Sequence, residues 1–175
     1  LGSPLRHLQT NLGGMMPKSR DKQYEALREE YKDLLDIPWE GKRLYGCYEI
    51  IRKYWEKVHN EKLIDFNSRG VIRFQEDAIA EQGAAWKFHK EWGEELDFSL
   101  LEKEDVLLFR LFTTPLGGNY SVPRGEAPNH GGIYLGDGWM LHHPYNDLSQ
   151  LADLTDKYNK IYCSSCMGAI YKKDR

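Results

Sequence analysis

The chain is poor in cysteine, carries little net charge and has no long apolar run. Three cysteines among 175 residues are an odd number, which does not suit a small secreted domain stapled by disulfides. Cys163 and Cys166 form one CxxC pair, with no second pair to complete a zinc site. The pair therefore reads as two reduced thiols on or near a strand, and neither a metal nor another cofactor is expected. A formal net charge of -3 argues against nucleic acid as the main partner, because phosphate binding needs a basic face. No apolar stretch approaches the roughly 18 residues of a membrane span. No charged-then-apolar leader opens the sequence, so no signal peptide is expected. Repeats and low-complexity tracts are absent as well.

What is present suits a compact domain: 41% of the residues are hydrophobic, enough for a real core. Residues 1–16 show no steady period and read as a tag, linker or disordered segment, leaving a domain over 17–175. Residues 21–35 place Tyr24, Leu27, Tyr31 and Leu34 on one helical face. "WEGKRLYG" (39–46) reads as a loop. The next segment is the strongest helical pattern in the chain, with Cys47, Ile50, Ile51, Tyr54, Trp55 and Val58 on one stripe and Cys47 in its first turn. Residues 75–93 are expected to form a further helix with Ile79, Trp86, Phe88 and Trp92 inward. "VLLFRLF" (106–112) reads as a buried strand and 113–129 as a turn-rich loop. "HGGIYL" (130–135) and "WMLHH" (139–143) flank "GDG", a hairpin signal. Residues 160–173 supply a last extended segment, with a bulge near Gly168. Helices first and strands after predict an α+β fold with an antiparallel sheet.

Two features of this layout carry chemistry. A cysteine in the first turn of a helix faces unpaired N–H groups and the positive end of the helix dipole, and both favour thiolate. The plain alternative is a small buried residue on the helix's inner face. The hairpin brings His130 and His142 to approximate cross-strand positions, with His142 and Met140 on one face and His143 on the other. A thiol delivered to two imidazoles permits a Cys–His–polar constellation, in which the first ring moves the proton and the third group fixes its tautomer. Satisfied structural histidines are the alternative. A His-only metal site lacks a third ligand, since His142 and His143 point to opposite faces.

These residues resemble a known family. "NHGGIYLGDGWMLHHPYNDLS" is similar to the hallmark of NlpC-type, papain-like cell-wall cysteine peptidases, in particular the branch found in tail-tip assembly proteins of long-tailed bacteriophages. "KEDVLLFRL" resembles the strand before the family's histidine, "YGCYEIIRKYW" its nucleophile helix, "IPWEG" the lead-in loop and "MGAIYKK" the closing strand. The likeness covers about residues 36–173. It implies a papain-like fold, with the nucleophile helix packed on an antiparallel sheet. It also implies Cys47 as nucleophile, His130 as general base and His142 as the residue that orients the base. Trp39, Tyr48 and His143 fall where residues lining the substrate are expected. The sequence departs from the family at the nucleophile: Gly46 stands where Asp is usual, and Tyr48–Glu49 replace Ser-Gly.

The implied function is a cysteine endopeptidase of a phage tail tip, made in the bacterial host cytoplasm and cutting peptidoglycan stem peptides. Other phage tail proteins are candidate partners. The alternatives are a structural tail-assembly component that keeps the peptidase fold, and an amidase or acyltransferase using the same three residues.

Overall fold

The structure is a computed structural model that describes residues 19–39, 46–63, 86–111 and 130–172. By its internal contacts the chain divides into two compact units, residues 1–33 and 34–175. In the first, helix α1 spans Arg20–Glu30. The Ser19 hydroxyl accepts the Lys22 N–H at its start, one of the donors a helix leaves unpaired there. Tyr31 closes it through an N–H donated to the Leu27 carbonyl. Not one residue of α1 is buried.

Among its described residues the second unit holds α2 (Gly46–His59), α3 (Lys160–Ser165) and six strands: β1 (Trp86–Glu91), β2 (Val106–Phe109), β3 (His130–Gly136), β4 (Trp139–His142), β5 (Gln150–Asp153) and β6 (Cys166–Lys172). The strands form one sheet in the order β1-β6-β2-β3-β4-β5. Every pairing in it is antiparallel. The fold is therefore α+β, as expected. Helix α2 packs on β3 and β4, and its stripe of Cys47, Ile50, Ile51, Tyr54 and Trp55 is buried.

The hairpin between β3 and β4 turns through Asp137 and Gly138, both at positive φ (51° and 84°). That is the left-handed backbone a tight two-residue hairpin turn requires. The Gly138 N–H donates to the Tyr134 hydroxyl across the turn. Gly132 is needed for a different reason. A Cβ there would sit 2.5 Å from the Met140 sulfur, so the buried Met140 side chain would have to move. Pairing sets Gly132 opposite His142, and Phe109 opposite His130. Because paired residues share a sheet face, His130 and His142 lie on the same side. There they join a core of Leu107, Phe109, Met140, Leu154 and Ala169.

Three expectations change. Residues 86–91 are strand β1, paired with β6, where a helix over 75–93 was predicted; residues 75–85 lie outside the described residues. "WKFHKE" alternates apolar and polar positions as well as it fits helical spacing, and the open edge of β6 decides in favour of a strand. Residues 160–165 form α3 before β6 begins, where one extended segment was predicted. Asp156 accepts the Tyr158 N–H and starts a 3-10 turn, Lys157–Asn159, that runs straight into α3. This local capping outweighs the strand propensity of Ile161 and Tyr162. Strand β5 was not anticipated; it is four residues long and gives almost no periodicity to read. The bulge expected near Gly168 is present: Leu108 pairs with Gly168 and Phe109 with Cys166, leaving Met167 as the extra residue. Most of the loop at 39–46 and all of 113–129 lie outside the described residues.

Candidate active site

Cys47 reaches the sheet because α2 presents its first turn to β3. Its side chain is 3% exposed. Backbone N–H groups of Gly131, Tyr48 and Cys47 itself are directed at the sulfur and favour thiolate. Burial outweighs them and pushes the thiol up to about 11.

His130 opens β3 and His142 closes β4, so the hairpin register brings the two rings together. His130 Nε2 lies 2.9 Å from His142 Nδ1, and the rings meet edge to face with centroids 5.2 Å apart. Both side chains are buried. Burial, then the charge of His143, lowers His130 to about 4. His142 is lowered as well, by burial first and then by His130 and His143. Each ring is therefore neutral at physiological pH, and one donates its N–H to the lone pair of the other. His142 Nε2 is buried and has no hydrogen-bond partner among the described residues. Among those residues, likewise, no hydrogen bond joins the thiol to His130. The link between them is Gly131, which follows His130 in the chain and points its N–H at the sulfur.

His143 belongs to a separate group. Its Nε2–H donates to the Asp147 carbonyl at 2.9 Å, and Trp39 stands edge-on to it at 5.2 Å and to Tyr145 at 5.1 Å. Trp39 is half-buried. Tyr48, by contrast, is buried.

Ser149 holds the chain leading to Trp39 in place and was missed from the sequence. Its hydroxyl donates to the Leu34 carbonyl (2.7 Å) and accepts the Ile37 N–H (2.9 Å). Its backbone bonds both ways, to Asp36 N–H and to the Ile37 carbonyl. Four bonds from one buried serine thus fix residues 34–37 on the sheet edge, two residues short of Trp39. The only sequence signal was the Leu148–Ser149 pair closing the hairpin motif. Tyr162 was also missed, because its segment read as a strand. From α3 its ring packs on His142 (5.1 Å) and Phe109 (5.8 Å). The described residues contain no group of three His, Cys, Asp or Glu side chains fit to hold a metal ion.

No family model and no curated protein matches the chain. Among solved structures, the chain is similar to a Staphylococcus aureus protein described as similar to lipoprotein, NLP/P60 family. The match has a TM-score of 0.47 and 15% identity and covers 88% of this chain. The chain spans less than half of that protein, 42% of its length.

A buried thiol approached by N–H donors, one of them a single residue from two neutral imidazoles in hydrogen-bond contact, offers residue types that acyl transfer can use as nucleophile, base and orienting group.

Proposed function

We propose that the protein is a papain-like, NlpC-type cysteine peptidase that cuts stem peptides of bacterial peptidoglycan, working at a phage tail tip. Cys47 attacks the scissile carbonyl carbon, forming the S–C bond while its proton passes to His130. The tetrahedral oxyanion is received by N–H groups at the start of α2. His130 then gives the proton to the leaving amine as the C–N bond breaks. Water, deprotonated by His130, attacks the thioester and releases the carboxylate, restoring the thiol. His142 holds His130 in the orientation that does this, and Trp39 and His143 form part of the substrate wall. The observation that carries the reading is the buried 2.9 Å contact between His130 and His142. It lies one residue from the Gly131 N–H that addresses Cys47. The phage setting rests on the resemblance of the hairpin motif.

The test is digestion of purified peptidoglycan under reducing conditions, with mass spectrometry of the released fragments. New amino termini that vanish with Cys47→Ala establish the peptidase and name its bond. One observation favours a second reading, a structural tail component that keeps the fold: Cys47 is almost fully buried and its thiol is pushed up to about 11. A folded protein that cleaves nothing and whose Cys47 resists alkylation selects that reading. A reactive Cys47 without peptide cleavage selects an amidase or acyltransferase on the same residues.

A further inference from the structure

The His130–His142 contact admits two tautomeric arrangements, and only one is useful. In the first, His130 Nε2–H donates to a lone pair on His142 Nδ1. His142 then carries its proton on Nε2, and His130 keeps a lone pair on Nδ1 with which to take a proton. In the second, His142 Nδ1–H donates to His130. His130 is then protonated on Nδ1 and cannot act as a base. The contact itself, 2.9 Å between the nitrogens, does not choose between them. The choice falls to what meets the two outer nitrogens, His130 Nδ1 and His142 Nε2, of which the second is enclosed by the fold. That atom is buried and has no hydrogen-bond partner among the described residues. A donor there would select the second arrangement, and an electron-rich acceptor the first.

The group packed on His142 from α3 is the Tyr162 ring. The two rings lie 85° apart in plane with centroids 5.1 Å apart, an edge-to-face arrangement. Ring faces are electron-rich and ring edges electron-poor, so a face accepts an N–H. We infer that Tyr162 is a positioning residue whose ring face receives the buried Nε2–H of His142 and so selects the tautomer in which His130 is a base. The inference rests on the peptidase reading for its consequence, though not for its geometry. It accounts for two otherwise unconnected observations: a buried imidazole nitrogen lacking a conventional partner, and an aromatic ring packed edge-to-face with that imidazole. Phe109, which stands opposite His130 in the sheet, packs on both His130 and Tyr162. It thereby buttresses Tyr162 from the side of the base.

The test is nitrogen-15 NMR of the intact chain with labelled histidine rings, the His142 signals being assigned through a His142→Gln variant. The expected result is His142 protonated on Nε2, with that proton shifted upfield by the ring current of the face it points into. Tyr162→Phe retains both signatures, since the face is kept. Tyr162→Leu abolishes the upfield shift, mixes the tautomers and lowers kcat roughly ten- to a hundredfold with KM unchanged, less than a full tautomer reversal costs in a catalytic triad. His142 protonated on Nδ1 overturns the inference, and so does a Nε2 proton with the same shift in Tyr162→Leu. The wild-type spectrum decides even if Tyr162→Leu fails to fold. The tautomer measurement needs no substrate, so it stands or falls separately from cleavage of peptidoglycan.

Discussion

Two buried thiols lie on different elements, Cys47 in α2 and Cys166 in β6, and their surroundings differ. Cys47 and Cys166 are both buried free thiols, and burial pushes them to about 11 and about 12. Cys166 spends its S–H on the Gly168 carbonyl, and Cys163, three residues earlier, spends its own on Leu154. Around them are Trp92, Leu96, Leu107, Phe109 and Ala169, the core that His130 and His142 border through Phe109 and Tyr162. Backbone N–H groups approach both sulfurs, those of Gly168 and Leu108 at Cys166 and those of Gly131, Tyr48 and Cys47 itself at Cys47. The residue before Gly131 is His130, in contact with a second imidazole. Burial alone makes a thiol inert. What sets Cys47 apart is its place in the first turn of α2 and the one-residue step from its Gly131 donor to the His130–His142 pair.

The largest effects should separate the two sites by activity. Cys47→Ala is expected to lower peptide cleavage at least about 10⁴-fold, the scale seen when a nucleophile is removed from a catalytic unit. Cys163→Ala and Cys166→Ala should stay within about threefold of the parent in the same assay; a comparable loss in either would erase the distinction. His142→Ala should follow, with kcat down about 10²–10³-fold, within the usual range for acid–base machinery. His142→Asn, which can still accept from His130, should recover part of that loss.

Stability against pH sharpens the contrast. His130 is lowered from 6.5 to about 4, so the folded state favours its neutral form. Its contribution is present above pH 6.5 and is lost as pH falls toward 4, amounting to roughly 3 kcal/mol at 1.4 kcal/mol per unit. The thiols have the opposite sign. They are raised from 9, so their contribution is present below pH 9 and is lost as pH rises through 11 and 12. Urea midpoints across pH should therefore show an acid limb that disappears in a His130→Phe, His142→Phe double variant. An alkaline limb should shrink in Cys166→Ala. An acid limb that survives the double variant would place the acid-sensitive groups elsewhere.

The smallest effect concerns the wall beside the histidines. Ser149→Ala removes one hydroxyl that donates to Leu34 and accepts from Ile37. It should cost about 1–2 kcal/mol of stability and raise KM more than it lowers kcat, because residues 34–37 lead to Trp39. A kcat loss with unchanged KM would mean that this loop acts on the chemistry rather than on the substrate.

Much of this architecture was legible because period and chemistry agreed. The α2 stripe is a clean helical repeat, and the hairpin carries "GDG" between two apolar runs. The twelve-residue spacing from His130 to His142 follows from two short strands and a tight turn. What was not legible depended on distant partners. Residues 86–91 fit either period, and the edge of β6, some 80 residues later, made them a strand. The switch from α3 to β6 at Ser165–Cys166 depends on an aspartate cap at Asp156 and on pairing with β2. Neither leaves a mark in the hydrophobic pattern of 160–173. Ser149 was missed because it acts across the fold on a segment 112 to 115 residues away, and Tyr162 because its helix read as a strand. Tyr48 shows the converse, since an aromatic beside the cysteine suggests a substrate contact, while the helix turns its side chain into the core.

The central claim is that Cys47, and neither of the other two thiols, carries the acyl group. Peptide mapping by mass spectrometry of protein acid-quenched during turnover of a peptidoglycan stem peptide tests this most directly. The account predicts an acyl adduct on the peptide containing Cys47, absent from Cys47→Ala and depleted in His142→Ala. An adduct on Cys163 or Cys166, or peptide release that persists in Cys47→Ala, would contradict it.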